Sequence, residues 1–451
     1  MVALAVAIAA LAYALRLAAI GTAYAAKILC SGIFVSQRDA ASLLDTDVAA
    51  DGLSFLRSLD VRVDRGAREV TATFFGFAAR KAVYREGRGC AVLHAGVAEL
   101  APRSEGSPNR AREERAVVDE LDAVGRLPPE VDRRRLDAAL EWAFADADPA
   151  RPRRTRAVVV LYKGRLVAER YAVPFTKDTP LAGWSMAKSV VNALVGILVK
   201  EGKMSLRDPA SIPQWRGSND PRGRITLEQL LRMSSGLQFH ENYSNPLADV
   251  TYMLFGAPDA AAYAAAMPLE AEPGTHWSYS SGTTNIITYA IRQIVGDSGY
   301  LEFPRRALFD RLGMRSAVME TDAAGIFVGS SFMYATARDW ARFGELYLRD
   351  GMWEGRRILP EGWVAYTRTP APNAPDQRYG AHFWLRTSAG QGCRNEAPPY
   401  PADAFHAVGY EGQYITIIPS RELVIVRLGL TRYACAWDQQ RFVDLVSKAL
   451  L

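Results

Sequence analysis

The segment Gly183–Lys188, with the sequence GWSMAK, places a serine and a lysine three residues apart. Residues at this spacing share one face of a helix, so the Ser185 hydroxyl and the Lys188 amine come within hydrogen-bonding reach. The first turn of a helix stabilises a developing alkoxide, and burial favours the neutral amine. A neutral Lys188 accepts the proton of Ser185, which activates the serine as a nucleophile. The spacing alone is also typical of an ordinary helix start, so the interpretation needs a second element.

That second element is the segment Glu272–Ser281 (EPGTHWSYSS), a turn that delivers Tyr279 just before an apolar helix. With Ser185 and Lys188, this tyrosine resembles the active-site set of the serine β-lactamase and D,D-peptidase superfamily. Further phrases match that family in order, and they are LLRMSSGL from 230, EPGT from 272, LGM from 312, ATARDWARFG from 335 and EGRRILPEGW from 354. The resemblance implies that Ser185 is the nucleophile, Lys188 its base partner and Tyr279 the proton carrier.

The family also has a K-T-G-like strand beside the nucleophile. We align the triplet Ala407-Val-Gly409 with it, and the resemblance then implies an oxyanion hole formed by the backbone N–H groups of Ser185 and Tyr410. Aligning residues 410–412 instead would move the second donor to Gln413. Both alignments leave the backbone usable for stabilising negative charge.

Two positions depart from the family pattern. Ser281 stands where class C β-lactamases carry an asparagine that contacts a substrate amide, and the 407–409 triplet lacks the basic first residue of K-T-G. The strand is similar to that of the 6-aminohexanoate-dimer hydrolase and esterase branch, whose loop tyrosine corresponds to Tyr243 here. We expect Tyr243, Ser281 and Gly409 to contact substrate, with a structural loop role as the alternative for Tyr243. His406 is only adjacent to this wall.

The elements that position these residues follow from periodicity. Two hairpins are predicted, Ala157–Tyr171 and Tyr414–Leu428. Helical spacing covers residues 131–145, 185–200, 227–233, 285–295 and 437–451. Strands at both ends with helices between them predict an α+β fold. We expect an antiparallel sheet flanked by helices, plus an all-helical subdomain, as the β-lactamase and transpeptidase resemblance implies.

The first 26 residues are apolar except for Arg16, and as one helix they could cross a bilayer of roughly 30 Å. The triplet Ala23-Tyr24-Ala25 also suits a signal-peptide cleavage site. A transmembrane anchor is preferred, a cleaved signal and a soluble first helix being the alternatives. Residues 27–130 are interpreted as an extension with a polar linker at 101–126. Residues 131–451 are interpreted as the β-lactamase-like hydrolase domain.

The four cysteines fall into two distant pairs, Cys30 with Cys90 and Cys393 with Cys435. Four cysteines allow three connectivities, and the sequence does not choose among them. Disulfides are expected in an oxidising compartment rather than four free thiols. We therefore expect an exported protein, anchored with its catalytic domain on the periplasmic side, or secreted if the first segment is cleaved.

The composition agrees with a globular enzyme. Of 451 residues, 49% are apolar and 23% charged, and the net charge is only +5, so neither general disorder nor nucleic-acid binding is indicated. The segment from Gly183 fails the G-x-S-x-G pattern of α/β-hydrolases. We expect a serine hydrolase that cleaves a small ester or amide through an acyl-Ser185 intermediate, without metal or organic cofactor. The alternatives are a β-lactamase or D,D-peptidase acting on peptidoglycan, and a non-catalytic receptor on the same fold.

Overall fold

The computed structural model describes residues 2–94, 127–217, 219–387, 393 and 398–450, so the predicted linker at 101–126 lies outside the described residues. The strands, in chain order, are β1 (Leu59–Asp64), β2 (Glu69–Phe74), β3 (Phe77–Arg85), β4 (Gly89–Leu93), β5 (Thr155–Tyr162), β6 (Arg165–Tyr171), β7 (Leu181–Ala182), β8 (Val318–Met319), β9 (Met333–Ala335), β10 (Met352–Trp353), β11 (Arg356–Arg357), β12 (Phe405–Gly409), β13 (Gln413–Ile418) and β14 (Leu423–Gly429). The helices are α1 (Val2–Phe34), α2 (Ala40–Leu43), α3 (Arg133–Phe144), α4 (Met186–Lys200), α5 (Leu227–Leu231), α6 (Asp249–Phe255), α7 (Ala260–Ala265), α8 (Ser281–Val295), α9 (Asp297–Tyr300), α10 (Ala337–Leu348), α11 (Trp363–Arg368) and α12 (Gln439–Ser447). Short 3₁₀ or π segments cover Leu44–Val48, Asp51–Ser58, Pro213–Trp215, Pro221–Arg224, Arg305–Phe309, Pro375–Gln377 and Pro419–Arg421.

The central sheet is antiparallel, with the strand order β12-β13-β14-β5-β6. Both predicted hairpins belong to it. The β5–β6 turn consists of Lys163 and Gly164, whose φ angles of 50° and 71° suit a two-residue turn that matches the twist of the strands. The two hairpins meet where Val160 of β5 pairs with Ile425 of β14. The sheet therefore joins the two ends of the catalytic region, as the α+β prediction requires.

Alternate residues of this sheet face two different cores, as the period of two in a strand demands. Val159 and Val426 pack into the large core that contains the buried faces of α4 and α10. Their neighbours Val160 and Ile425 pack on the other side, against α3 and α12. The predicted antiparallel sheet flanked by helices is thus confirmed.

The helical subdomain is formed by the part of the chain between β6 and β12, and it contains α4 to α9. Its central helix is α4, in which every residue from Met186 to Leu198 is buried. A helix buried on all sides needs an apolar sequence all round, and the run VVNALVGILV meets this requirement. The helix begins directly after Ser185, so the predicted helix over 185–200 is observed and presents the serine at its N-terminal end.

Residues 27–94 of the N-terminal extension form a small folded unit. Strands β1 to β4 form an antiparallel meander that packs on the second half of α1. Helix α1 is long and apolar enough to cross a membrane by length and composition, but it is buried in the protein from Ile20 onward. The predicted boundary after residue 26 falls inside this continuous helix. Disulfides form between Cys30 of α1 and Cys90 of β4 and between Cys393 and Cys435.

A buried cluster of Lys27, Ser31 and Glu320, which we call the junction triad, attaches the extension to the rest of the chain. Lys27 forms a salt bridge with Glu320. Its Nζ also donates to Ser31 Oγ at 2.9 Å, and Ser31 Oγ donates to Glu320 Oε1 at 2.8 Å. The Cys90 N–H donates to the same carboxylate oxygen at 2.7 Å. The Glu320 side chain, which follows β8 directly, therefore links α1 to β4.

Candidate active site

Ser185 sits at the turn into α4, and its surroundings hold that turn tightly. Gly183 N–H donates to the Met333 carbonyl of β9 at 2.9 Å. A Cβ on Gly183 would lie 2.3 Å from the Trp340 ring, so only glycine fits there. Trp184 adopts a φ of 48°, an uncommon conformation for a bulky residue that concentrates at functional sites. The backbone is therefore shaped to present Ser185, which is 9% exposed.

Lys188 lies below the serine and makes three polar contacts. Its Nζ is 2.8 Å from Ser185 Oγ, 3.0 Å from Ser281 Oγ and 3.1 Å from the Ser330 carbonyl oxygen. Burial lowers the pKa of Lys188 to about 8, although the Glu241 carboxylate opposes this effect. The neutral amine can accept a hydrogen bond from Ser185 while still donating to the other two oxygens. The same oxygens would solvate the ammonium if the serine proton were transferred to Lys188.

Tyr279 completes the predicted trio from the turn before α8. Lys188 Nζ lies 4.9 Å from the centroid of its ring. Burial raises the pKa of Tyr279 above its ordinary value, whereas the nearby Ser185 side chain lowers it. A tyrosine with a raised pKa remains a neutral phenol and can donate a proton or pass one on. The structure therefore brings Ser185, Lys188 and Tyr279 together, with lysine as the group that is poised to act as base.

Glu241 is a site residue that the sequence reasoning did not single out. Ser281 Oγ donates to Glu241 Oε1 at 2.5 Å, and Ser281 N–H donates to Oε2 at 2.7 Å. Because Ser281 Oγ also accepts from Lys188 Nζ, these three residues form a second Lys–Ser–Glu cluster, which we call the active-site triad. Burial raises the pKa of Glu241, while the charge of Lys188 and the two hydrogen bonds from Ser281 oppose that rise.

The active-site triad also determines which hydrogen bonds the Ser281 hydroxyl makes. Its hydroxyl already donates to Glu241 and accepts from Lys188, so it is engaged with the protein rather than directed at a substrate amide. Glu241 lies two residues before Tyr243, in the loop whose tyrosine the sequence predicts to contact substrate. An acidic residue inside a loop that covers an S-x-x-K site is the signal that could have found it.

Strand β12 ends beside the turn that carries Ser185, and Gly409 allows the two backbones to approach closely. A Cβ on Gly409 would lie 2.1 Å from the carbonyl oxygen of Gly183, so the end of β12 packs directly on the turn that carries Ser185. The next residue is Tyr410. Gln413 pairs with Gly409 in the β12–β13 ladder, and its side-chain Nε2 donates to the Tyr410 carbonyl oxygen at 3.1 Å. Tyr410 is thus the first residue after the close contact at Gly409, and both alignments of the second oxyanion-hole donor stay predictions.

The wall next to Ser185 is aromatic. Tyr243 stacks on Tyr410 with ring centroids 4.5 Å apart, and Trp184 meets Tyr410 edge-on at 5.5 Å. The Tyr243 hydroxyl is buried and makes no well-formed hydrogen bond among the described residues, although the Ser281 and Ser331 side chains lie near enough to lower its pKa against the rise that burial causes. A buried phenol oxygen without a well-formed hydrogen bond calls for an explanation, and a substrate carbonyl or amide would supply one.

Two buried histidines lie near the site in supporting positions. His382 Nδ1 lies 2.9 Å from the Lys188 carbonyl oxygen, and burial lowers the pKa of this histidine to about 3. His406 is buried in β12 and contacts Thr416 Oγ1 at 2.9 Å, so it belongs to the sheet rather than to the Ser185 pocket. Within the part of the chain that the structure describes, no group of histidine, cysteine, aspartate or glutamate side chains could hold a metal ion.

Comparison with known proteins agrees with this architecture. The beta-lactamase family model matches residues 140–433, which include the sheet, the helical subdomain and every residue of the predicted site. The chain therefore belongs to the beta-lactamase family. It is a β-lactamase-fold hydrolase, and it shares its fold with an esterase and with penicillin-binding proteins.

Individual relatives point to particular branches of the family. The chain is 26% identical to the 6-aminohexanoate-dimer hydrolase of Paenarthrobacter ureafaciens over 299 residues, covering 61% of this chain and 72% of the relative. Among solved structures, a family VIII carboxylesterase has a TM-score of 0.55 at 16% identity, covering 72% of this chain and 98% of that one. A penicillin-binding protein homologue from Caulobacter crescentus has a TM-score of 0.54 at 18% identity, covering 72% and 99%. These structures share the fold.

Proposed function

We propose that the protein is a serine hydrolase that cleaves a small ester or amide through an acyl-Ser185 intermediate. The observation that carries this proposal is the 2.8 Å contact between Lys188 Nζ and Ser185 Oγ, made by a buried lysine whose pKa is lowered to about 8. A nucleophile and a neutral base within hydrogen-bonding reach form the signature of covalent catalysis.

The reaction follows from the positions of the groups. Lys188 takes the Ser185 proton as the oxygen attacks the substrate carbonyl carbon. The negative charge that develops on the carbonyl oxygen is stabilised by the backbone N–H groups of Ser185 and Tyr410. Tyr279 then passes a proton to the leaving alcohol or amine, and the acyl group remains on Ser185. Water, deprotonated by the same groups, attacks the acyl-enzyme and releases the acid.

The binding wall supports an ester or simple amide over a β-lactam. Ala407 occupies the first position of the K-T-G-like triplet, where a cation would bind a carboxylate. The Ser281 hydroxyl is engaged by Glu241 and Lys188. The stacked rings of Tyr243 and Tyr410 instead offer an apolar surface with one hydroxyl that makes no well-formed hydrogen bond among the described residues. We infer that Gly409 lies beside the substrate and contacts it only through its backbone, because glycine has no side chain.

Comparing turnover of a p-nitrophenyl short-chain ester with that of a chromogenic cephalosporin tests the substrate preference. The ester should be hydrolysed faster; the reverse result would support the β-lactamase or peptidoglycan-enzyme alternative. A fluorophosphonate probe tests the nucleophile, because it should label the wild type and not Ser185→Ala. Absence of labelling in the wild type, or equal labelling of both proteins, would support a non-catalytic receptor.

We further propose that α1 is an uncleaved anchor and that the catalytic domain faces the oxidising side of the membrane. The two disulfides support an oxidising environment. Cleavage after Ala25 would cut α1 within its buried part and remove the contacts of Ile20 and Ala23. The intact mass of protein extracted from membranes should therefore include α1, and a mass corresponding to a start near Ala26 would favour a cleaved signal.

A further inference from the structure

Three phenylalanines of the N-terminal extension are exposed to an unusual degree. Phe55 is 63% exposed, and Phe75 and Phe77 are each 68% exposed. Phe55 belongs to the 3₁₀ segment before β1, Phe75 lies in the turn between β2 and β3, and Phe77 is the first residue of β3. Exposed large apolar side chains that lie close together mark a binding surface more often than scattered ones do. We call these three residues the aromatic collar.

The collar lies at one level of α1. Thr22 Oγ1 donates to the carbonyl oxygen of Ala78, the residue after Phe77, at 2.7 Å. A Cβ on Gly21 would lie 3.3 Å from the side chain of Leu56, the residue after Phe55. Both segments of the collar therefore meet α1 at residues 21 and 22. This is the point where the helix enters the folded protein.

The turn that carries Phe75 is a second, independent observation. Phe75 and Gly76 have φ angles of 47° and 77°, as in a two-residue hairpin turn that favours asparagine or aspartate before glycine. A phenylalanine in this left-handed conformation is strained, and its exposed ring is unfavourable in water. A polar residue would suit an aqueous surface on both grounds, so the turn points to an apolar environment.

The first part of α1 supplies that environment. This part of the helix exposes large apolar side chains along its whole length. They are Val2, Leu4, Val6, Ile8, Leu11, Tyr13 and Leu15. From Val2 to Ala19 the helix is about 27 Å long at ~1.5 Å per residue, close to the roughly 30 Å of a bilayer core. Arg16 lies one turn before Ile20, where its side chain can reach the lipid headgroups.

We propose that the aromatic collar inserts into the interfacial zone of the bilayer that α1 crosses. This inference rests on the proposed anchoring by α1. Phenylalanine on an otherwise polar surface is typical of protein segments that lie at the headgroup boundary. A single helix would leave the domain free to tilt about the chain, whereas a helix plus three side chains at the same level defines a plane. The collar therefore fixes the orientation of the catalytic domain on the membrane.

The test uses the full chain in phosphatidylcholine–phosphatidylglycerol vesicles, with both native disulfides oxidised. Single cysteines replace Phe55, Phe75 or Phe77 and carry an environment-sensitive nitrobenzoxadiazole label. Nitroxide lipids labelled at the headgroup or on the acyl chain report depth by quenching. Each collar position should show blue-shifted emission and quenching, stronger from the headgroup nitroxide than from the acyl-chain nitroxide.

Two further positions make the result decisive. Val173 is an apolar residue that is 96% exposed; it lies near Phe175, which contacts Arg38 beyond the far end of α1. A label at Val173→Cys should stay unquenched. A label at Leu11→Cys reports on the anchor itself and should be quenched most by the acyl-chain nitroxide.

Quenching at Leu11 without quenching at Phe75 and Phe77 would overturn the collar and leave the anchor standing. Absence of quenching at Leu11 would overturn the anchor and the collar together. Self-quenching between labels at Phe75 that depends on protein concentration and not on lipid would assign the surface to a second copy of the chain, and would also overturn the proposal.

Discussion

Two buried clusters of the same three residue types do different work in this molecule. In the junction triad, Lys27 touches Glu320 directly, and Ser31 contacts both. In the active-site triad, the serine stands between the other two: Ser281 accepts from Lys188 and donates to Glu241. Lysine and glutamate are paired in the first cluster and separated by a hydroxyl group in the second.

The difference shows how one set of residues can serve structure or chemistry. Burial lowers the pKa of Lys27 as it does that of Lys188, and the direct contact with the Glu320 carboxylate opposes this effect. Where a hydroxyl intervenes, the carboxylate supports the ammonium only partly, and burial still lowers the pKa of Lys188 to about 8. Lys188 also has Ser185 as a neighbour that can give it a proton. Besides the serine of its own triad, Lys188 therefore contacts a second serine, Ser185, which is the proposed nucleophile.

Replacing the two lysines should separate the two roles most strongly. Lys188→Met removes the proposed base and should lower kcat/KM for a p-nitrophenyl ester by about 10³-fold, within the usual range for general-base catalysis. The protein should remain folded, as judged by circular dichroism. Lys27→Met, assayed on the fraction that folds, should retain activity within a few-fold of the wild type. Equal losses of activity in the two variants would remove the distinction between the triads.

Replacing the carboxylate of the junction triad should affect stability instead. Glu320→Gln leaves Lys27 buried without its counter-charge and replaces the oxygen that Lys27 contacts by an NH2 group, while the remaining carbonyl oxygen can still accept from Ser31 and the Cys90 N–H. Breaking a buried pair in this way costs about 3–5 kcal/mol. Thermal unfolding in detergent micelles should show a clearly lower midpoint than in the wild type. An unchanged midpoint would mean that the junction triad does not hold the extension in place.

The sequence predicted the parts of the site that local spacing determines. Ser185 and Lys188 are one helical turn apart, so their contact follows from the helix alone. The β5–β6 hairpin was equally predictable from the sequence, because Lys163-Gly164 suits a tight two-residue turn. Glu241 was missed because its partner Ser281 lies forty residues away, and only the packing of the loop on α8 brings them together.

The N-terminal region shows the opposite limit. An uninterrupted apolar run predicts a membrane helix, and composition alone does not reveal that Ile20 and the residues after it are buried against protein. The hydrogen bond from Thr22 to Ala78 and the contact of Lys27 with Glu320 are tertiary features. The predicted boundary after residue 26 therefore reflects a change in composition, whereas the buried part of α1 begins earlier.

The Lys188–Ser281–Glu241 contacts imply a particular pH dependence of the activity. Glu241→Gln removes a negative charge that raises the pKa of Lys188, so the pKa of Lys188 should fall further below its ordinary value. More of the base is then neutral at pH 7, and the acid limb of the kcat/KM profile should move to lower pH. With a wild-type pKa of about 8, roughly a tenth of Lys188 is neutral at pH 7. Activity at pH 7 can therefore rise by at most about tenfold, to the value of the high-pH plateau.

Glu320→Gln is the matched control for this measurement, since it makes the same change in the other triad. Its activity profile should coincide with that of the wild type at temperatures where both are folded. A shift of the Glu241→Gln profile to higher pH, or the same shift in both variants, would show that the separation of lysine and glutamate by Ser281 does not set the pKa of the base.

The smallest expected effect concerns the Tyr243 hydroxyl beside the active-site triad. Tyr243→Phe removes the phenol oxygen but keeps the ring that stacks on Tyr410. One hydrogen bond to a substrate is worth about 0.5–1.5 kcal/mol, so KM should rise by about threefold to tenfold while kcat changes little. The stability of the folded protein should change little, because that oxygen makes no well-formed hydrogen bond among the described residues and only lies near the Ser281 and Ser331 side chains. The pH profile should also match the wild type, since Glu241 and Lys188 are untouched. A fall in kcat with unchanged KM would place Tyr243 in the proton-transfer chemistry and extend the active-site triad to a fourth residue.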